Sequence, residues 1–382
     1  MARICVITQN PAWGGGVLSK LHAFLAYAAS REHTCDLYFP TTVDTSAGEA
    51  LRELDAVDNI FPVRWFEKLP DCVRSTCFAR RCKIPHVYDA YQLVAGGLHQ
   101  GLPFSRQGLA FVAWIAATYI SDVGATQRSS VKHFLLYNPL TTFWAERLEK
   151  ECAERAIVIA PVSSYSRTEL INRYGIAEDK LSILPVPVEL PSETAYPERA
   201  ISRYILSVGQ LQRRKDFPML LKAFRIVKES IGDIELRIVG KGKELANLRA
   251  LARNLGLTDS VRFLGFLSNE ELQSQYRNAT VFALSSRQEG LGIVFIEAMS
   301  YGLPVVTTEC GGSADPVLHG KTGFLSPVGD ANGLARNLIF LLTEEDLLAN
   351  MSTAARSRAV ENYSFETVFL KLDEIYSDAF GL

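Results

Sequence analysis

The sequence lacks an excess of charge of either sign. Its 382 residues include 40 lysines and arginines against 42 aspartates and glutamates, for a formal net charge of −2. Proteins that bind nucleic acid through its phosphates usually carry a basic excess or a basic stripe. The charge balance therefore gives no reason to expect nucleic acid as a partner.

No apolar run in the sequence is long enough to cross a bilayer. The longest extends from Gly108 to Ile120, whereas a membrane-spanning helix needs about 20 apolar residues. The start of the chain also lacks the charged segment and apolar run of a secretory signal. We expect a cytoplasmic location, with any membrane contact peripheral and at the inner face of the membrane.

A disulfide framework is absent as well, because the seven cysteines are odd in number and scattered. Cys72, Cys77 and Cys82 recur every five residues and are followed by His86. Zinc ligands usually come as closer Cys-x2-Cys pairs. A metal site and a set of free thiols are both open, the thiols being favoured, and we expect no metal and no cofactor.

Two common nucleotide motifs are missing. There is no Gly-x4-Gly-Lys-Ser/Thr, and the turn Gly14-Gly15-Gly16 is not followed by the spacing that a P-loop needs. Neither glycine turn continues as the Gly-x-Gly-x-x-Gly of a dinucleotide site. Asp-x-Asp, which often holds a divalent ion against a diphosphate, is also absent. The first two absences argue against a P-loop phosphate hydrolase and against an NAD oxidoreductase, and the third leaves Arg214, Lys215 and backbone amides to hold any diphosphate.

Both halves of the chain alternate strand-like and helix-like segments, which predicts parallel sheets flanked by helices. A proline-rich stretch from Pro185 to Pro191 separates the halves and is typical of a linker. Two doubly wound domains with a cleft between them follow, and such sheets bind ligands at the carboxyl ends of their strands. Predicted strands are 3–8, 35–39, 91–95, 110–117, 133–136, 156–160, 204–208, 235–239, 261–264, 281–284 and 304–307, with helices at 17–30, 218–230, 293–301 and 365–379.

The segment from Glu289 to Gly302 holds the strongest functional signal. Residues 293–301 read as a short buried helix, in which the carboxylate of Glu297 needs a partner. Gly290 and Gly292 leave the backbone bare at its N-terminus, where free N–H groups favour an anion. A nucleotide-sugar site fits these residues. A glutamate paired with an arginine, after an ordinary glycine turn, is the structural alternative.

A loop of three cations follows the strand 204–208, namely Arg213, Arg214 and Lys215. These side chains suit a diphosphate, although a solvated basic loop is the favoured explanation for this segment taken alone. Gly265-Phe266-Leu267 follows the strand 261–264, where a base could stack on Phe266 or where Phe266 could belong to the core.

As an ordered set, these residues resemble the retaining, GT-B-fold glycosyltransferases of the glycosyltransferase 4 type, over almost the whole chain. Glu289 and Glu297 match the family's Glu-x7-Glu element, and Gly14-Gly15-Gly16 resembles the loop over the donor phosphates. Other matching segments are 160–163, 183–189, 311–312 and 320–325. The resemblance implies two Rossmann-like domains facing across a cleft: an acceptor domain at 1–188, a donor domain at 189–362, and a helix at 363–382 that crosses back to the first.

The resemblance also implies roles for individual residues. Arg214 and Lys215 would hold the donor diphosphate, Glu289 would meet the transferred sugar, and Glu297 the ribose. In the first domain, His99 and Asp122 would face the sugar and the acceptor. The remaining donor-binding positions would be Gly14, Gly15, Gly16, Gln210, Gly265, Phe266, Leu267, Gly290, Leu291, Gly292 and Ile293.

Some positions depart from the family pattern. Gln210 stands where the family often has an arginine, and Lys20 stands in the region where a histidine is common. The implied activity is transfer of a hexose, which we expect to be glucose, from a UDP-sugar to an acceptor hydroxyl. The acceptor would be a glycan or a lipid-linked oligosaccharide in polysaccharide biosynthesis. The rivals are a sugar-nucleotide epimerase of the same fold and a catalytically inactive scaffold homologue.

Overall fold

The computed structural model describes residues 1–9, 16–41, 54, 56–64, 71–117, 139–191 and 204–382. By its internal contacts the chain forms two compact units. The first unit comprises Met1–Pro187 and Phe365–Leu382, and the second unit comprises Val188–Ser364. The C-terminal segment therefore belongs to the first unit, although it follows the second unit in sequence.

The first unit contains a parallel sheet whose strand order is β3-β2-β1-β4-β5-β6. In chain order the strands are β1 (Arg3–Thr8), β2 (Thr34–Thr41), β3 (Val57–Arg64), β4 (Ala90–Ala95), β5 (Phe111–Ile115) and β6 (Ala156–Pro161). Five consecutive positions of β1 are buried, because a parallel sheet covered by helices excludes water from both faces. The flanking helices are α1 (Gly16–Ser30), α2 (Asp71–Arg81), α3 (Leu102–Arg106), α4 (Pro139–Arg155) and α5 (Ser164–Tyr174).

The second unit repeats this plan with the strand order β12-β11-β10-β7-β8-β9, again all parallel. Its strands are β7 (Tyr204–Val208), β8 (Glu235–Val239), β9 (Val261–Gly265), β10 (Val281–Leu284), β11 (Val305–Thr308) and β12 (Gly323–Ser326). Its helices are α6 (Phe217–Ile231), α7 (Leu245–Asn254), α8 (Asn269–Asn278), α9 (Ile293–Ser300), α10 (Ala331–Thr343) and α11 (Glu345–Tyr363). In each sheet the strand order reverses at one point, between β1 and β4 and between β7 and β10.

The last helix, α12 (Phe365–Phe380), packs on the first unit through aromatic rings. Tyr376 is fully buried against Phe24 and Tyr27 of α1, with ring centroids 6.1 and 5.7 Å apart. Its hydroxyl donates to Gln92 Oε1 at 2.9 Å. At the surface, Arg31 forms a two-point ion pair with Asp373, at 2.9 and 2.6 Å. The helix is thus held by a buried aromatic cluster and a surface ion pair.

Within the described residues, the predicted strands are confirmed, and two further strands, β3 and β12, were not predicted. Strand β3 was not predicted because Asp58, Asn59 and Pro62 interrupt its apolar pattern, as an edge position tolerates. Strand β12 was missed because it begins at a glycine and holds only two apolar residues, Phe324 and Leu325. The predicted strand at 133–136 lies outside the described residues. Among the described helices, none combines the length and the apolar character needed to cross a bilayer.

A buried lysine lies in the core of the first unit. Lys20 on α1 has no exposed surface, and its Nζ donates to the carbonyl oxygens of Ala95 at 2.5 Å and Trp114 at 3.1 Å. Burial lowers the pKa of Lys20 to about 7. The two carbonyls lie on β4 and β5, so this lysine ties α1 to neighbouring strands of the sheet.

Replacing Lys20 with methionine is expected to change how stability depends on pH. The pKa of Lys20 is about 7 in the folded chain and near 10.5 when unperturbed, so the unfolded chain binds more protons between these values. Above pH ~7, Lys20 should therefore make the free energy of unfolding rise by up to about 1.4 kcal/mol per pH unit. Below pH ~7, Lys20 should add no pH dependence to the free energy of unfolding.

The test is denaturant unfolding of the native protein and of Lys20→Met between about pH 7 and 9. The stability difference between the two should grow with pH in favour of the native protein. Lys83→Met, which removes an exposed lysine of the same unit, should leave the pH dependence as it is. Equal pH slopes for the native protein and Lys20→Met would contradict the assignment.

Candidate functional site

The reversal point of the second sheet brings two loops together, one after β7 and one after β10. Lys215 comes from the first loop and Glu289 from the second. Lys215 Nζ lies 2.6 Å from Glu289 Oε1, and the two residues are only 7% and 5% exposed. Open α/β sheets bind their ligands at such reversal points, outside the carboxyl ends of the strands.

Two more side chains complete the surroundings of the Glu289 carboxylate. Arg214 Nη1 lies 3.3 Å from Oε2 and also donates to the carbonyl of Gln288 at 3.2 Å. Ser286 Oγ donates to Oε1. Burial alone would raise the pKa of Glu289, but the charges of Lys215 and Arg214 outweigh it and lower the pKa below its usual value. Glu289 is therefore ionised at neutral pH.

The loop that carries Lys215 is held in an uncommon backbone conformation. Asp216 has φ +43°, in the left-handed region that non-glycine residues rarely adopt. Arg287 Nε donates to Asp216 Oδ2 at 2.8 Å, and Ser285 Oγ donates to the Asp216 carbonyl at 2.7 Å. The Arg287 N–H donates to the Arg214 carbonyl at 2.8 Å. Contacts from the second loop thus fix the backbone on both sides of Lys215.

Glycines permit the close approach of backbones at this site. A Cβ on Gly311 would lie 2.2 Å from the Glu289 carbonyl oxygen, and Gly311 has φ +55°. Gly292, with φ +83°, precedes α9, and a Cβ there would lie 2.2 Å from the Phe295 ring. The N-terminus of α9, where the helix dipole favours an anion, is reached through the segment 290–293.

Glu297, the second predicted carboxylate, lies one turn into α9. It is half-buried, and Oε2 accepts a hydrogen bond from the Tyr276 hydroxyl at 2.7 Å. Burial raises the pKa of Glu297, while the Tyr276 hydrogen bond and the charge of Lys215 act in the opposite direction. The partner that the sequence required for this carboxylate is thus a tyrosine and not an arginine.

The segment after β9 presents an aromatic ring to solvent. Phe266 is 73% exposed, so the alternative of a core phenylalanine is wrong. Lys241 Nζ lies 5.1 Å from the centre of the ring. Gly265 has φ +73°, which turns the chain at the end of the strand, and Leu267 beside Phe266 is half-buried.

Two predicted or neighbouring residues of the second unit have other partners, and the remaining predicted residues belong to the first unit or lie outside the described residues. Gln210 is exposed and its side chain accepts from Gln212 at 2.9 Å. Arg213 points to Glu244 instead, at 3.8 Å. Gly16 begins α1 of the first unit. Gly14, Gly15 and Asp122 lie outside the described residues.

His99 belongs to a buried cluster of the first unit, just after β4. Its Nδ1 lies 3.2 Å from Glu149 Oε1, which also accepts from the Leu98 N–H at 3.1 Å. The Tyr174 hydroxyl binds the other oxygen of Glu149 at 2.5 Å. With 5% of its surface exposed, His99 is a well-fixed core histidine at the carboxyl end of the sheet.

Two of the three regularly spaced cysteines have side chains that are at least partly buried. Cys77 is half-buried and Cys82 is buried, and burial raises the pKa of Cys82 to about 12. The side chain of Cys72 lies outside the described part. Among the described residues, no three His, Cys, Asp or Glu side chains are grouped to hold a metal ion.

The sequence did not reveal Asp216, Tyr276, Ser286 or Arg287 as part of the site. Ser286 could have been found, since two hydroxyls directly follow the buried strand β10. The others gave no signal, because their roles depend on contacts between distant segments.

Residues 194–358 match the family model described as glycosyl transferases group 1. An uncharacterized glycosyltransferase from Haemophilus influenzae is 34% identical over 44% of this chain and 47% of its own length. A GDP-mannose-dependent alpha-(1-6)-phosphatidylinositol monomannoside mannosyltransferase from Mycolicibacterium smegmatis is 31% identical over 58% of this chain and 62% of its own. The matches thus span about half to three-fifths of these relatives.

Among solved structures, Anabaena HepE in complex with UDP and glucose superimposes with a TM-score of 0.76 at 17% identity, over 99% of this chain and 100% of HepE. Identity this low shows a shared fold, here two six-stranded parallel sheets flanked by helices. With the relatives, these findings show that residues 194–358 of the second unit match the glycosyl transferases group 1 family and that the chain has the GT-B fold.

Proposed function

We propose that this protein is a retaining glycosyltransferase that moves a hexose from a nucleoside-diphosphate sugar to an acceptor hydroxyl. The observation that carries the proposal is the buried pair Lys215–Glu289, joined by Arg214, at the strand-order reversal of the second sheet. A buried ion pair contributes little net stability compared with apolar packing. Its position at a ligand-binding edge therefore favours a functional role.

The donor would be bound along this edge by groups of matching chemistry. Lys215 has three N–H donors, so it can keep its contact with Glu289 and still reach a phosphate oxygen. Arg214, whose side chain is 31% exposed, and the amides of 290–293 would bind the diphosphate. Glu289 would accept hydrogen bonds from sugar hydroxyls, Glu297 from the ribose, and Phe266 would stack on the base.

The chemistry follows from charge development at the donor. When the bond from sugar to diphosphate breaks, negative charge grows on the leaving phosphate, and fixed positive groups stabilise that charge without reorganising. Lys215, Arg214 and the N-terminus of α9 would supply this potential. The acceptor would attack from the face that the phosphate leaves, and the phosphate would take the acceptor's proton. Neither a strong protein base nor a metal ion is then required.

We further propose UDP as the donor nucleotide and glucose as the sugar. Support comes from HepE, whose structure contains UDP and glucose. GDP is the second nucleotide to test, because the Mycolicibacterium relative is named as GDP-mannose-dependent. That relative is named for a lipid-linked acceptor, which supports a glycan or lipid-linked acceptor reached at the inner membrane face. His99 would contribute on the acceptor side as a fixed ring, and Asp122 stays a prediction.

Removing either member of the buried pair is expected to lower the release of UDP from UDP-glucose by about 100-fold or more, as when other preorganised charges are removed. Lys215→Ala takes away positive potential at the leaving phosphate. Glu289→Gln keeps the shape of the side chain and removes its charge. Steady-state rates with and without a glycan acceptor would show the loss.

The matched control is Arg225→Ala, which breaks the exposed ion pair with Glu229 in the same unit. Exposed pairs contribute about 0–1 kcal/mol, so its rate should be normal. Melting curves separate lost chemistry from lost folding. Near-normal rates in folded Lys215→Ala or Glu289→Gln would contradict the site. Epimerised nucleotide-sugar as the product would favour the rival enzyme, and a product with the opposite anomeric configuration would rule out retention.

Nucleotide binding is expected to raise the melting temperature without a metal. A ligand that binds only the folded state stabilises it by mass action. We expect a shift with UDP, smaller shifts with GDP and ADP, and no change when EDTA is added. Lys215→Ala should reduce the UDP shift. If EDTA abolished the shift in melting temperature, the metal-free mechanism would be wrong. A larger shift with GDP than with UDP would show that the donor base is guanine and not uracil.

A further inference from the structure

Tyr276 on α8 has a ring that packs against two other aromatic side chains. The Tyr301 ring is stacked at 5.6 Å with an interplanar angle of 14°, and the Phe282 ring at 6.3 Å with an angle of 28°. Tyr276 is 2% exposed. Because ring and backbone are both confined, the position of its hydroxyl oxygen is fixed by packing.

This hydroxyl points to one oxygen of Glu297. The distance to Oε2 is 2.7 Å, and in the described part of the chain it is the one hydrogen bond that the carboxylate receives. Burial, followed by the charge of Glu297, raises the pKa of Tyr276 well above its usual value. The phenol therefore keeps its proton and acts as the donor.

A glutamate side chain has three rotatable bonds, and its orientation is fixed only where a contact holds it. The Tyr276 hydrogen bond fixes Oε2 and leaves Oε1 of the half-buried Glu297 to accept from another donor. Lys215, the cation of the candidate site, is close enough to act electrostatically on Glu297. An oriented acceptor beside a diphosphate site suits a hydroxyl of the attached sugar.

We propose that Tyr276 is a positioning residue that orients the Glu297 carboxylate toward a ribose hydroxyl, so that the two residues together make the site select ribonucleotides over deoxyribonucleotides. The inference rests on the proposed function, which assigns Glu297 to the ribose. A hydrogen bond between a charged and a neutral group typically changes affinity by about 10- to 100-fold, and a site built for a hydroxyl rejects the analogue that lacks it.

The test is isothermal titration calorimetry of UDP, 2′-deoxy-UDP and 3′-deoxy-UDP, with GDP and its two deoxy analogues in parallel. The native protein should bind one ribonucleotide about 10- to 100-fold more tightly than at least one of its deoxy analogues. Tyr276→Phe keeps the ring stack and removes the hydroxyl. It should therefore weaken binding of the ribonucleotide and leave the affinity for that deoxy analogue unchanged. Glu297→Gln should show the same loss of preference.

Tyr204→Phe is the matched control. The Tyr204 hydroxyl is bonded to the carbonyl of Gln275 at 2.7 Å, so the variant loses a hydroxyl contact to the same helix without touching Glu297. Its preference should equal that of the native protein. Glu297→Asp, in which the shortened carboxylate cannot reach both partners, provides a second variant and should behave as Tyr276→Phe does.

The outcomes separate the inference from the proposal on which it rests. Loss of preference in Glu297→Gln with full preference in Tyr276→Phe would overturn the positioning role alone. An unchanged preference in Glu297→Gln, or equal binding of all analogues by the native protein, would overturn the ribose assignment and the inference with it. Loss of preference in Tyr204→Phe would show a general effect of packing and would also overturn the inference.

Discussion

The buried carboxylate of Glu289 is the constraint that arranges the loops of the second unit. A carboxylate that leaves water must be paired and hydrogen-bonded, or its burial costs several kcal/mol. Its partners come from two loops, Lys215 after β7 and Ser286 after β10. These loops meet because β7 and β10 are neighbours where the strand order reverses. The ion pair therefore forms only when the sheet itself has assembled in the right order.

The same loops show where local strain is balanced by contacts. Asp216 adopts a left-handed conformation that costs a non-glycine residue of order 1 kcal/mol or more. Arg287 and Ser285, both from the other loop, hold it there. Lys215 is thus placed by the backbone on either side of it, so its ammonium group is oriented before any ligand arrives.

Most of the strands could be predicted from the sequence, because each strand of a parallel sheet that is covered on both faces appears as a short, separate apolar run. Strands β7, β8 and β10 begin and end at the predicted residues. Lys215 and Glu289 were found through their residue types and their place after strands. Tyr276 was not, because an aromatic residue on a helix reads as core, and its contact with Glu297 joins segments that no local pattern relates. Asp216 was missed for a similar reason, since its role depends on one backbone dihedral angle.

Because α12 follows the second unit in the chain, its aromatic rings can reach the first unit only after the whole second unit has been synthesised. At ~5–20 residues per second, the stretch from Val188 to Ser364 takes roughly 10 to 35 s. During that interval Phe24 and Tyr27 lack the rings of Tyr376 and Phe369 that cover them in the finished chain. The nascent protein thus presents an aromatic surface for many seconds, and transiently exposed apolar surface of this kind favours aggregation.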